Sequence, residues 1–369
     1  MATQYHHGKF PPNNLNWERL LPLIGPAQAA VARYEGILHS IPDSKILLSP
    51  LVTQEAVLSS KIEGTQATIG DVLKYEASED TATGEKKKDI QEILNYRSAL
   101  YHAVELMKTL PLSQRVVRET HSVLMQGVRG KNKTPGDYRR NQNWIGPEGE
   151  AIELAKFIPP GAEKLADLMT CWEKHLHQEP KDTLVQLAIL HAEFESIHPF
   201  LDGNGRLGRL LVPLFLVAKD LLTGPNFYIS TYLEANREQY YERLLAVSRE
   251  DDWTGWCEFF LIALMHQAKQ NEVQVKKILE LYRIKKEWIV KETRSPHAVQ
   301  ALDWFFGKPG FRTSQFIKET RIPEPTARRI LSVITKGGLL RVLIPGKGRQ
   351  SNVYIFPDLI NIVENRIVF

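Results

Sequence analysis

Cysteine is nearly absent from this 369-residue chain: Cys171 and Cys257 stand far apart, so no disulfide framework holds the fold. Neither has partners at a zinc-ligand spacing, which removes a structural zinc site. A reducing cytoplasm is the compartment expected of such a chain. Long apolar runs are missing as well. The longest, Leu210 to Ala218, is short and interrupted by Pro213, and no charged-then-apolar leader opens the sequence. Neither a membrane span nor a secretion signal is therefore expected. No G-x-x-x-x-G-K-[ST] occurs, which leaves a P-loop unsupported, and no internal repeat or low-complexity tract is evident.

What is present is enough apolar residue, 43% of the chain, to bury a sizeable core and build two or three domains. The most informative segment is His198-Pro199-Phe200-Leu201-Asp202-Gly203-Asn204-Gly205-Arg206-Leu207-Gly208-Arg209. Its residue types answer the needs of phosphate chemistry. Gly203 and Gly205 let the backbone turn sharply and bring its N–H groups close to an anion. Leu207, Leu210, Leu211 and Leu214 then recur at helical spacing, so the turn presents a helix N-terminus, with its unsatisfied donors and partial positive charge. Arg206 and Arg209, three apart, share a face of that helix and can reach one polyphosphate. Asp202 supplies a hard oxygen for Mg²⁺, and His198 an imidazole whose ordinary pKa of roughly 6.5 suits proton abstraction.

Gly203 to Gly208 also fits G-x-G-x-x-G, with Asp220 beyond it, but a dinucleotide fingerprint needs a strand immediately before it. Leu184, Leu187, Ala188, His191, Phe194 and Ile197 repeat instead at helical spacing. His191 reads as a satisfied helix residue near the core.

The twelve-residue segment resembles the signature of Fic-domain proteins, AMP transferases that modify hydroxyl side chains of other proteins, and it matches at every defining position. The resemblance implies that His198 is the general base and Asp202 the Mg²⁺ ligand. Gly203, Asn204 and Gly205 would cradle phosphates, Arg206 and Arg209 would hold the outer part of ATP, and Phe200 would be a buried anchor. ATP is then the substrate, a Ser, Thr or Tyr hydroxyl the acceptor, and pyrophosphate the product.

Upstream, Ser49 and Pro50 read as a helix cap and first position, with Gly64 as the stop, so the helix ends on Glu63. A carboxylate in a last turn opposes the macrodipole unless a cation answers it. Ser59-Ser60-Lys61-Ile62-Glu63-Gly64 resembles the (S/T)-x-x-x-E-(G/N) inhibitory motif of Fic proteins. The implied mechanism pairs Glu63 with Arg209 and denies that arginine to ATP. In some relatives the equivalent residue also helps remove AMP, so both directions are open here.

Gly136-Asp137-Tyr138-Arg139-Arg140, the run Asn143 to Glu150 and Phe157-Ile158-Pro159-Pro160 read as extended segments around a Pro/Gly turn. They resemble the β-hairpin flap of Fic proteins, which makes 143–160 the expected docking element for an unidentified target protein, with self-modification also open. Tyr232, Asn236, Tyr240 and Tyr241 recur at spacings of three to five. Such a stripe is equally core or, by resemblance, part of an adenosine pocket formed by Asn236, Tyr240 and Tyr241.

The net charge of +4 is uneven: residues 293–369 hold twelve Lys and Arg against five Asp and Glu, a net of +7. Helices are expected over about 296–306, 313–320 and 324–337, then strands over 339–343 and 353–356, an order that looks like a winged helix. Arg328 and Arg329 on the third helix and Lys347 and Arg349 on the wing would face DNA, which makes a DNA-binding regulator the alternative function; a protein-interaction module is the other use of such a domain. The expected architecture is mainly α: an N-terminal helical region over 1–110, a Fic-type core with its flap over 111–265, a connecting helix over 266–292 and a small winged-helix (α+β) domain over 293–369. By resemblance the chain is expected to be a homodimer.

Overall fold

The computed structural model describes residues 2–77, 82–127, 133–146, 151–346 and 351–369. Pro147 to Glu150 of the expected flap, and Lys347 and Arg349 of the expected wing, lie outside these residues.

The chain is mainly helical. It forms β1 (Thr3–Gln4), α1 (Trp17–Leu38), α2 (Ser44–Leu47), α3 (Ser49–Ile62), α4 (Ile69–Ala77), α5 (Gly84–Met107) and α6 (Gln114–Leu124). Then follow β2 (Phe157–Ile158), α7 (Leu165–His177), α8 (Thr183–Ile197), α9 (Asn204–Ala218), α10 (Ser230–Ala235), α11 (Arg237–Glu250) and α12 (Trp253–Thr293). The C-terminal part adds α13 (Ala298–Gly307), β3 (Gly310–Arg312), α14 (Thr313–Thr320), α15 (Glu324–Lys336), β4 (Arg341–Ile344), β5 (Val353–Ile355) and α16 (Pro357–Glu364).

Two compact units result. One takes Met1–Glu35, Leu58–Gly64 and Leu94–Lys269, the other Gly36–Val57, Thr65–Ile93 and Gln270–Phe369. The first is organised around α8. Asp182 accepts the Val185 N–H at 2.9 Å to cap it, and nearly every residue from Leu184 to Ile197 is buried, which is why its sequence lacks a polar face. It packs against α7 and α9, and Trp172 and Trp256 donate their indole N–H groups to the Leu190 and Ala188 carbonyls. In the same unit β1 and β2 form a two-stranded parallel sheet, Thr3 opposite Phe157 and Gln4 opposite Ile158.

The second unit holds a three-stranded antiparallel sheet in the order β3-β5-β4. Phe305 stacks on Phe311 of β3 and meets Phe316 at a tilt, and β3 lies so close to α4 that a Cβ at Gly310 would come within 2.7 Å of the Leu73 Cβ. Arg328 and Arg329 are exposed on α15, as expected, yet both guanidinium groups are engaged: Arg328 with Glu324 at 2.7 Å and Arg329 with the Thr293 carbonyl at 2.7 Å.

Both ends of α3 differ from expectation, and the helix expected over 266–292 begins earlier, as part of α12. Ser49 is already helical, because the short α2 precedes it and the Leu48 carbonyl accepts the first bonds, from Leu51 and Val52. α3 ends at Ile62, one residue early: Glu63 and Gly64 donate to Ser60 and Lys61 in a tightened final turn, and Gly64 takes φ +101°.

Candidate active site

The loop between α8 and α9 carries the site, and its shape is imposed from four sides. His198 caps α8 in the left-handed region (φ 48°, ψ 60°), an uncommon conformation for a side-chain-bearing residue. Its N–H donates to Phe194 O and its carbonyl accepts Arg139 Nε at 2.9 Å. Phe200 is fully buried and stacks on His121, the ring centroids 3.7 Å apart. Asn204 closes the loop: its Oδ1 accepts the Phe200 N–H at 2.9 Å and its Nδ2 donates to the Phe200 carbonyl at 2.8 Å. The side chain of Asn204 is thus a brace, and any phosphate contact from this residue falls to its backbone N–H. Asn204→Ala leaves two buried backbone groups without these partners, and its expected cost of about 1–3 kcal/mol is checked by denaturant unfolding.

Gly203, at φ +78°, begins α9, where a Cβ would run into Met125 Sδ. The first N–H groups of α9 have no acceptor within the helix and form the anion-binding end. Asp202 stands beside it, Oδ1 accepting the Gly203 N–H at 2.6 Å and facing Arg206 Nη2 at 3.4 Å. Among the described residues no three His, Cys, Asp or Glu side chains gather as metal ligands. A single, partly exposed carboxylate fits a Mg²⁺ that keeps several waters and takes its other ligands from substrate phosphates.

The opposite side of that helix end is already filled by an anion. The Glu63 carboxylate lies so close to Gly205 that a Cβ there would collide with Glu63 Oε1. Glu63 Oε1 also accepts Arg209 Nη2 at 2.7 Å. Arg209 is only 1% exposed, and its Nε and Nη2 reach Ser59 Oγ and Ser59 O at 2.9 and 2.8 Å. The charge that opposes the dipole of its own helix is therefore answered twice, by Arg209 and by the N-terminus of α9. Desolvation raises the Glu63 carboxyl, but the Arg209 guanidinium, helped by Arg206 and His198, holds it below its ordinary range. Arg206 is nearly buried beside Asp202 and Met125 Sδ, so the two arginines approach the helix end from different neighbours.

The aromatic stripe divides. Tyr240 is core: its hydroxyl meets His191 Nε2 at 2.8 Å within a cluster of Trp256 and Phe259. Tyr241 lies at the edge of the site, its hydroxyl donating to the Ile62 carbonyl at 3.4 Å. Asn236 stands at the junction of α10 and α11 with Nδ2 on Tyr232 O.

Two supports escaped sequence reasoning. His121 accepts the Gly136 N–H on Nδ1 at 2.9 Å, so its Nε2 carries the proton given to the Asp202 carbonyl. Its only sequence signal is a buried position on the amphipathic α6. Arg139, read as part of the flap, is buried and spreads its guanidinium over the carbonyls of Asn141, Pro160, Ile197 and His198, and burial lowers it to about 10. The flap itself is reduced, among the described residues, to one antiparallel bridge between Ile145 and Phe157; the other edge of β2 is taken by β1.

The imidazole of His198 is half-buried, and its Nδ1 lies 3.2 Å from the Glu195 carbonyl, which places the proton on Nδ1 and leaves Nε2 basic. Burial pushes His198 down to about 4, against the pull of the Glu195 carbonyl and of Glu63. It likewise lowers His121 to about 4 and His191 to about 3. Above about pH 6.5 both folded and unfolded chains hold these rings neutral. Between 6.5 and about 4 only the unfolded chain takes up the protons, so stability is expected to fall across that window. Denaturant midpoints measured from pH 7 to pH 4 check it.

Three comparisons bear on this arrangement. The model of the Fic/DOC family N-terminal region matches residues 21–105 and that of the Fic/DOC family matches residues 111–216, together just over half of the chain. The protein adenylyltransferase Fic of Drosophila melanogaster is 30% identical over 277 residues, 70% of this chain and 53% of the relative. That of Drosophila mojavensis is 27% identical over 277 residues, 70% and 52%. The chain spans about half the length of these curated relatives. A Fic family protein from Desulfovibrio desulfuricans shares the fold at TM-score 0.60 and 20% identity, over 94% of this chain and 98% of that one. Fic-1 of C. elegans does so at 0.52 and 18%, over 72% and 76%.

Proposed function

The chain belongs to the Fic/DOC family, and from that premise we propose that it is a protein adenylyltransferase held inactive by Glu63. The observation that carries the reading is the contest for one place: the N-terminus of α9 together with Arg209 is built for an anion, and the chain's own carboxylate is on it.

In the proposed reaction a Ser, Thr or Tyr hydroxyl attacks the α-phosphorus of ATP and gives its proton to Nε2 of His198. The bond from the α-phosphorus to the bridging oxygen breaks, pyrophosphate leaves and AMP stays on the acceptor. Most of the work is positioning and charge neutralisation. The N–H groups at the start of α9 receive phosphate oxygens, and Arg206 and Arg209 offset their charge. Asp202 would hold Mg²⁺, which neutralises phosphate charge when bound. Arg139, His121 and Asn204 keep the loop from relaxing as those charges arrive. Because His198 stays neutral well below its ordinary pKa, the transfer rate of the Glu63→Gly chain is expected to show no acid limb at pH 6.5. With the charge of Glu63, which raises His198, removed, any decline should lie at more acid pH still, read from AMP incorporation between pH 4.5 and 8.

Residues 111–265 form the proposed catalytic domain, and 293–369 the proposed winged helix, a reading supported by the order α13-β3-α14-α15-β4-β5. α12 runs without a break through the proposed connecting segment. Although the basic excess favours DNA, the arginines of α15 are bound to Glu324 and to the Thr293 carbonyl, which favours a protein-interaction role. No helix among the described residues is long and apolar enough to cross a membrane.

A further inference from the structure

Residues 3–6 are stitched into the first unit at both ends of the catalytic apparatus. Thr3 N–H donates to the Lys156 carbonyl at 3.0 Å and Tyr5 N–H to the Ile158 carbonyl at 3.1 Å, so β1 occupies one whole edge of β2. The Tyr5 side chain turns inward, and its hydroxyl donates to Glu193 Oε1 at 2.6 Å. His6 Nε2 meets the other oxygen of the same carboxyl at 2.8 Å. His6 Nδ1 contacts Ser248 Oγ on α11 at 2.7 Å, and the ring stands edge-on to Trp253. Glu193 is fully buried on α8, five residues before His198. A carboxyl placed there without partners would be costly, and both of its hydrogen bonds come from this one short segment.

We infer that residues 3–6 are a strap that sets the flap strand at a fixed height over His198, with Tyr5, His6 and Glu193 as positioning residues for AMP transfer to a protein hydroxyl. Strand β2 is only two residues long, and among the described residues a single bridge joins it to Ile145, so the described part of the flap has little sheet structure of its own. The strap ties its outer edge, through one carboxyl, to the helix that ends on the proposed base. None of these side chains meets the phosphate-facing end of α9. Loosening the strap should therefore impair placement of the acceptor and leave nucleotide binding alone. A merely structural brace would lower both together.

The inference rests on the proposed AMP transfer, and its test separates the two. Thr3→Pro, which removes the N–H given to Lys156, and Tyr5→Phe, which removes the hydroxyl alone, are each placed in the Glu63→Gly chain. ATP affinity, self-labelling from α-labelled ATP and tryptic cleavage after the exposed Lys156 are then measured. The expected result is about a three- to tenfold loss of labelling per lost hydrogen bond, with ATP affinity unchanged and faster cleavage at Lys156. Unchanged labelling and cleavage, or an equal loss of ATP affinity, would overturn the strap. If the parent Glu63→Gly chain takes no label, the proposed function fails. Cleavage at Lys156 still decides whether residues 3–6 hold the flap.

Discussion

Replacing Glu63 by glycine is expected to increase ATP affinity roughly tenfold and AMP transfer by more. The Glu63–Arg209 contact is a charge-assisted hydrogen bond at 2.7 Å, a class worth about 1.5–3 kcal/mol. The side chain of Glu63 is 37% exposed, and solvent screening argues for the lower end, which corresponds to about tenfold in binding. The rate gains further because the same carboxylate covers Gly205, at the helix end where the phosphates must lie for in-line attack. Arg209 is not left loose by the change, since Ser59 still accepts its Nε and Nη2. In an Arg209→Ala chain the gain in ATP affinity from the glycine should largely vanish, because the cation for which carboxylate and phosphate compete is gone, and only the gain from clearing Gly205 should remain. Calorimetric titration with ATP and initial rates of labelling check both statements.

His198→Ala, made in the Glu63→Gly chain, is expected to reduce transfer by about 10² to 10⁴, the usual contribution of a general base. ATP affinity should stay within a few-fold. The imidazole is oriented by the Glu195 carbonyl through Nδ1, and the phosphate-facing groups, the N–H donors of α9 with Arg206 and Arg209, are untouched by its removal. The left-handed backbone at 198 is held by Phe194 O and Arg139, so alanine inherits the strain without disturbing the loop. A chain that kept its rate with alanine at this position would assign the proton to another group. Glu195 would be the first to examine: it lies one helical turn away, and burial raises it to about 8 against the pull of Arg209.

The site was legible where chemistry and local sequence coincide. The twelve residues from His198 to Arg209 are contiguous, so their order alone implied a helix end, a glycine turn and a second helix, and α8, the loop and α9 follow that plan. Glu63 was legible because a carboxylate just before a helix-stopping glycine is a local anomaly that needs a distant cation. The three helices expected in the C-terminal region, α13, α14 and α15, lie within a residue or two of their expected places, since their apolar spacing and turn residues are local signals, whereas β3 and α16 were not expected. What sequence could not reveal are partnerships across long separations. β1 and β2 are two residues each and about 150 positions apart, too short for any periodicity, and Glu193 looks like one more polar residue in a helix until Tyr5 and His6 are folded onto it. His121 and Arg139 act through backbone carbonyls, which carry no side-chain signature. Asn204, read as part of a phosphate cradle, spends its side chain on Phe200 because a left-handed residue followed by proline needs its loop closed.

The most direct measurement is the fate of label when the Glu63→Gly chain is incubated with Mg²⁺ and ATP labelled either at the α-phosphorus or at the γ-phosphorus, with Glu63→Gly/His198→Ala as the control. AMP transfer requires that the α-label alone become protein-bound and that the control lose it. Protein-bound γ-label, or α-label of equal strength in both chains, would contradict it.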